Sequence, residues 1–164
     1  MAELRRAEAG ASCLVITDVI TIRVTSAQSS GRLCVVEVLT APGGGPPPLH
    51  SHPPDEVFTV LEGEATIIVR DADGLRRTTL RAGESAHVPG GVAHTFRNFS
   101  DAPLRLLATF SPGQMMEHYF VAGGIPLPDA RLPDAVDTDR QAHQASEILL
   151  LAADVGMVVH DELT

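Results

Sequence analysis

Residues 44–63 read GGPPPLHSHPPDEVFTVLEG and hold three side chains that bind metal ions well: His50, His52 and Glu56. Side chains alternate along an extended strand, so imidazoles two apart lie on one face. A carboxylate follows four positions later. A second glycine- and proline-rich segment, residues 83–98, reads GESAHVPGGVAHTFRN and supplies His94. Three imidazoles and one carboxylate form a ligand set suited to a divalent transition metal. On a six-coordinate ion these four would leave about two positions for water or substrate, the arrangement catalysis needs, whereas a closed tetrahedral zinc site would be structural.

The elements that must place these ligands are short strands. The apolar runs CLVITDV, ITIRVTS and LCVVEVLT lie between Cys13 and Thr40. Residues 41–48, APGGGPPP, are too rich in proline and glycine for a ladder interior. Then come VFTVLEGEATIIVR (strand, glycine turn, strand), a hairpin at Asp73-Gly74, and further short strands to Ser111. Turn signals every 8–12 residues predict an all-β sandwich or barrel over 13–111. Residues 1–12 form a lead-in. Residues 112–164 form a C-terminal extension: two or three helical turns in GQMMEHYFVAG, a Pro- and Asp-rich loop, and an amphipathic helix. That helix is expected to start near Thr138 or Asp139 and stop at Gly156, with a last short strand in MVVH.

Composition narrows the partners. The chain has 164 residues, enough for one core, with 44% hydrophobic and 20% charged residues and a net charge of −9. None of its 12 basic residues is lysine. This balance disfavours nucleic acid or an anionic membrane as partner. The N-terminal residues lack the apolar core of a signal peptide, and no apolar run approaches the roughly 18 residues needed to span a bilayer. The expectation is a cytoplasmic protein. Cys13 and Cys34 sit in apolar runs and are expected as buried free thiols.

The two ligand segments resemble the motifs of the cupin superfamily. The first, G-x5-H-x-H-x3-E-x6-G, runs through Gly44, His50, His52, Glu56 and Gly63. The second, G-x5-P-x-G-x2-H-x3-N, runs through Gly83, Pro89, Gly91, His94 and Asn98, and every spacing matches. Residues 14–160 look similar to small bacterial single-domain cupins grouped with quercetin 2,3-dioxygenases. The resemblance implies an all-β jelly-roll barrel (a double-stranded β-helix) with a short C-terminal helical extension, and a homodimer. It also implies one Fe, Mn, Ni, Co, Cu or Zn ion on His50, His52, Glu56 and His94. In a dioxygenase of this kind Glu56 would take the substrate proton before oxygen attacks the activated ring. Pro53-Pro54 departs from the usual pattern, and would either deliver Glu56 to the metal or hold it back as a base.

Strand parity places Phe58, Val60 and Phe96 on the ligand side, and Met115 belongs to the lid-like segment. These four are the expected walls of a pocket for an aromatic or otherwise apolar small molecule. Arg97 has the opposite parity and is expected to face away. His87 is expected packed or solvent-facing, and His118, His143 and His160 exposed. Three functions stay open: an oxygenase acting on an aromatic or enolisable compound; an isomerase, cyclase or lyase using the metal as a Lewis acid; and a non-catalytic small-ligand-binding barrel.

Overall fold

The computed structural model describes residues 10–46, 48–134 and 137–160. In chain order the strands and helices are β1 (Ser12–Val15), β2 (Asp18–Val24), β3 (Cys34–Thr40), β4 (His50–Ser51), β5 (Asp55–Glu62), β6 (Glu64–Asp71) and β7 (Gly74–Arg81). They continue with β8 (Ser85–Val88), β9 (His94–Arg97), β10 (Leu104–Ser111), α1 (Gln114–Gly123), β11 (Ile125–Leu127), α2 (Thr138–Asp154) and β12 (Val158–Val159).

Two antiparallel sheets form. One has seven strands in the order β11-β1-β2-β3-β10-β5-β8, the other five in the order β12-β4-β9-β6-β7. The barrel expected from the sequence is therefore a sandwich of two sheets in jelly-roll style, with two helices added. Both sheets contribute to one apolar cluster, which joins Val36, Val38, Phe58 and Leu106 of the larger sheet to Ala65, Ile67 and Phe96 of the smaller. The alternation that makes β3 a strand is plain in its burial, with Cys34, Val36, Val38 and Thr40 inside and the residues between them less buried.

Register turns the inner face of the larger sheet into rows. Glu56, Phe110 and Cys34 share one row. Phe58, Ala108, Val36 and Ile22 form the next, and Val60, Leu106, Val38 and Ile20 the third. Leu104, Thr40 and Asp18 form the fourth. The glycine turn between β5 and β6 is obligatory: Gly63 has φ +80°, and a Cβ there would lie 2.7 Å from the Pro103 carbonyl oxygen.

Four details depart from expectation. The run CLVITDV is broken by a turn at Ile16–Thr17, where Ile16 takes φ 57°. That is an uncommon conformation for a β-branched residue. It is held by α2: Gln144 Oε1 accepts from the Ile16 N–H (3.1 Å) and Gln141 Nε2 donates to the Ile16 carbonyl (3.0 Å). The Pro- and Asp-rich loop contains β11, which pairs with β1. Helix α2 is capped by Asp137 rather than Thr138 or Asp139, its carboxylate accepting from the Arg140 N–H at 3.0 Å. The β6–β7 turn is Ala72–Asp73, with Asp71 paired to Gly74. Among the described residues no helix is long and apolar enough to cross a membrane.

Candidate metal centre

The two motifs meet across the sandwich. His50 on β4 and His94 on β9 are direct cross-strand partners in the smaller sheet. His52 follows β4 and ends the same short segment. Glu56 approaches from β5 in the opposing sheet, so Pro53-Pro54 is the bend that carries the chain from one sheet to the other. Two contacts hold that bend. The Gly91 N–H donates to the His52 carbonyl (2.8 Å), and the Gly90 N–H donates to Asp55 Oδ1 (2.7 Å). Gly90 packs so closely on the Pro53 carbonyl that any side chain there would collide with it.

The imidazole and carboxylate groups converge. One ligand atom each from His50, His52 and His94 lies within 4.8 Å of the others. Glu56 Oε2 stands 3.1 Å from His52 Nε2 and 2.9 Å from His94 Nε2. Each imidazole turns Nδ1 to a backbone carbonyl: His50 to Pro48 (3.4 Å), His52 to Pro54 (2.9 Å) and His94 to Val92 (2.7 Å). A carbonyl can only accept, so Nδ1 carries a proton; Nε2 donates to Glu56 only when the ring is an imidazolium, and in the neutral ring it is the nitrogen free for a metal. Such backing of the distal nitrogen by backbone oxygen orients imidazole ligands in metal sites. Ligand bonds of roughly 2.0–2.2 Å would require these atoms to draw together by about an ångström or less. The donor set therefore fits a divalent ion, and Glu56 brings the negative charge that would balance it.

The electrostatics follow from burial. His52, Glu56 and His94 are buried, at 2%, 4% and 1% exposure, while His50 is only half-buried. Burial would raise the Glu56 carboxyl, but hydrogen bonds from His52 and His94 outweigh it and hold the pKa at about 2. Burial pushes the His50 imidazole down to about 4, with nearby His94 acting in the same sense. For His94 burial works downward too, yet the hydrogen bond to Glu56 leaves it raised.

A cavity of about 530 Å³ opens beside this cluster, with His50 and Glu56 in its wall. Phe58, Phe96, Phe110, Tyr119 and Phe120 give it an aromatic lining, Met116 adds a thioether, and Ile148, Leu149 and Ala152 of α2 close it. Phe58 and Phe96 thus line the cavity as parity predicts. Val60 keeps the predicted parity but, like Met115, is not among the cavity walls. Val60 packs in the row beyond Phe58, buried in the core. The helical turn of α1 directs Met116 to the cavity instead, leaving Met115 half-buried against the core.

Several other expectations are corrected or completed. His160, expected as an exposed tail residue, is half-buried on the cavity wall, and its Nε2 lies 3.0 Å from Ser51 Oγ. Its N–H donates to the Leu49 carbonyl (2.8 Å) as β12 pairs with β4. Arg97 donates to the Gly45 and Gly43 carbonyls (3.2 and 2.7 Å), pinning the loop that leads into His50. Asn98 is fully buried. Its Nδ2 donates to the carbonyls of Thr40, Ala41 and Ala102, and its Oδ1 accepts from both the N–H and the hydroxyl of Ser100. His87 pairs with Asp55 at the surface (3.4 Å), and His118 and His143 are exposed. Both cysteines are free thiols, but Cys13 is only partly buried.

A two-sheet jelly roll with three histidines and a glutamate meeting between its sheets defines a histidine-centred β-sandwich. Residues 36–110, just under half of the chain, match the family model of the cupin domain. It is 43% identical over 61 residues to an uncharacterized protein of Streptomyces coelicolor, a stretch covering 37% of this chain and 53% of that one. An RmlC-like cupin from Shewanella frigidimarina superposes with a TM-score of 0.52 at 24% identity, covering 65% of this chain and 86% of that one. An oxalate decarboxylase variant from B. subtilis superposes with a TM-score of 0.60 at 20% identity, covering 95% of this chain and 38% of that one. These two likenesses show the fold. The chain spans about half the length of the curated relatives it matches.

Proposed function

We propose that this protein is a metal-dependent cupin enzyme acting on a small, mainly apolar molecule, with a dioxygenase-type reaction on an aromatic or enolisable compound as the specific reading. One observation carries it: His50, His52, His94 and Glu56 converge at the wall of a roomy, aromatic-lined cavity. A purely structural metal needs no such cavity. A bound divalent ion would supply Lewis acidity and exchangeable coordination positions.

The chain's own residues would do the rest. His52 and His94, backed by the Pro54 and Val92 carbonyls, hold their rings in fixed orientation. Glu56 stays ionised throughout the neutral range. With Nε2 of the imidazoles given to a metal, the carboxylate would be free to accept a proton from a bound substrate. The aromatic walls exclude water and favour a flat or apolar substrate.

The test is elemental analysis of purified protein beside a His50→Ala/His94→Ala variant, followed by oxygen uptake with diketone- and phenol-type compounds. Near-stoichiometric metal lost in the variant, with substrate-dependent oxygen consumption, supports the proposal. Turnover without oxygen consumption would replace the dioxygenase reading by Lewis-acid isomerase or lyase chemistry. No metal after purification and reconstitution would overturn both.

A further inference from the structure

Asp18 is a buried carboxyl that the metal centre does not use. It is 5% exposed, lies on the inner face of β2 in parity with Ile20, and lines the same cavity as His50 and Glu56. Burying a carboxyl without a strong partner is costly. Among the described residues it accepts from the Thr17 hydroxyl at 3.4 Å, is faced by the Thr40 hydroxyl and the Gly45 N–H, and forms no ion pair. Thr40 stands directly opposite on β3, its buried hydroxyl facing Asp18 without closing a well-formed hydrogen bond. The nearest cation, Arg97, is already engaged with the Gly43 and Gly45 carbonyls. Burial pushes the Asp18 carboxyl up to about 7, against the milder opposing pull of Thr40, Thr17, Arg97 and the Gly45 N–H.

Its position is as informative as its chemistry. Glu56 shares a row with Cys34, and Asp18 shares a row with Thr40, six residues along β3. The two carboxyls thus stand in different rows of the inner face, with two rows between them. Between them the inner face is apolar: Phe58, Ala108, Val38 and Ile20.

We infer that Asp18 is the distal recognition residue of this cavity, and that the ligand is an elongated, mainly apolar molecule with a metal-binding oxygen group at one end and a hydroxyl at the other. A hydroxyl suits Asp18 better than an ammonium group, because it can donate to the carboxylate or accept from the carboxylic acid. The Thr40 hydroxyl offers a second partner. This inference rests on the metal-site reading for the near end of the ligand but not for the far end.

The test compares alkyl hydroxamic acids of six, eight and ten carbons, each with and without a terminal hydroxyl, by calorimetric titration of the zinc-loaded protein. An apolar cavity should reject the hydroxyl. At one chain length or more, the wild type is expected to bind the hydroxylated compound at least as tightly as its methyl-terminated partner. Asp18→Leu is expected to prefer the methyl compound by about tenfold or more, with Asp18→Ala as a second variant if the first does not fold. The same factor in wild type and variant would overturn the inference. A metal-free arm separates it from the metal reading: 1,8-octanediol and 1-octanol are compared by the melting temperature of metal-free protein. The diol is expected to stabilise the wild type at least as much as octanol, and Asp18→Leu less. If no hydroxamate binds, the metal reading fails and the diol comparison still decides. Equal diol and octanol responses in both proteins, or none in either, would overturn the role of Asp18.

Discussion

Glu56 Oε2 on β5 and His94 Nε2 on β9 lie 2.9 Å apart, and this contact joins the two sheets at the metal centre. Both groups are buried, so removing one charge strands the other. Glu56→Gln is expected to lower the stability of metal-free protein by about 2–4 kcal/mol near pH 6. The Glu56 contribution is present above its unfolded pKa of 4.5 and is lost as pH falls toward 2. His94, raised in the fold, contributes fully below 6.5, and that part is lost as pH rises through its folded pKa. The wild-type-minus-variant stability difference should therefore peak between pH 4.5 and 6.5, which urea denaturation across that range would check. A difference independent of pH would contradict the pairing.

A metal on His94 Nε2 must displace the proton that this nitrogen presents to Glu56. Zinc or nickel affinity should therefore fall steeply below neutrality, by about tenfold per pH unit for each proton displaced. Competition titrations with a chromophoric chelator at pH 5.5 and 7.5 would measure it. A flat profile would place the ion elsewhere.

Asp18 gives a stability signature of opposite sense to Glu56. Its raised pKa means the fold is unpenalised below the unfolded value of 3.8, and loses stability as pH rises through about 7. Asp18→Asn should thus stabilise the protein increasingly from pH 4 upward, levelling off above pH 7 at no more than about 4 kcal/mol. Thermal melts of both proteins at pH 4, 6 and 8 would show the divergence. Parallel curves would mean that Asp18 finds a partner in solution.

Gln144 fastens helix α2 to the larger sheet. It is 2% exposed, accepts from the Ile16 N–H, and donates to the Leu14 and Gly123 carbonyls (2.7 and 2.9 Å). Gln144→Leu leaves those backbone groups unpaired, at a cost of about 2–4 kcal/mol, and releases the strained turn at Ile16. Because α2 closes the cavity, amide hydrogen exchange of residues 14–17 and 145–152 should accelerate together. Faster exchange confined to α2 would show that the turn holds itself.

Asn98→Ala removes all the hydrogen bonds of a fully buried amide that ties the loops around Thr40, Ala41 and Ala102 to the end of β9. The expected loss is about 3 kcal/mol by chemical denaturation. A loss below about 1 kcal/mol would mean that water replaces the amide.

The metal cluster was legible because its geometry is local. His50 and His52 need only strand alternation, and the glycine and proline positions around His94 fix one turn. The Pro53-Pro54 bend, ambiguous as a string, sets Glu56 beside His52 and His94 once β4 and β5 belong to different sheets. Asp18 was not legible: an acid beside Thr17 in a strand reads as a solvated residue. Its burial depends on the helix at 138–154 and the loop at 43–46, far away in sequence. Met116 replaces Met115 on the cavity wall for a similar reason, since the phase of α1 is set by what it packs on. His160 was misread because nothing local shows that β12 pairs with β4, more than a hundred residues earlier.

That last pairing bears on how the site is assembled as the chain is made. β4, which carries His50, is flanked by β9 on one side and by β12 on the other. Translation delivers β9 soon after β4, but β12 only after α2 has emerged. Until then the strand bearing His50 is an open sheet edge, with unpaired N–H and C=O groups beside two free imidazoles. A sheet edge in this state invites pairing with another chain. The strand that emerges last is thus the one that covers this edge.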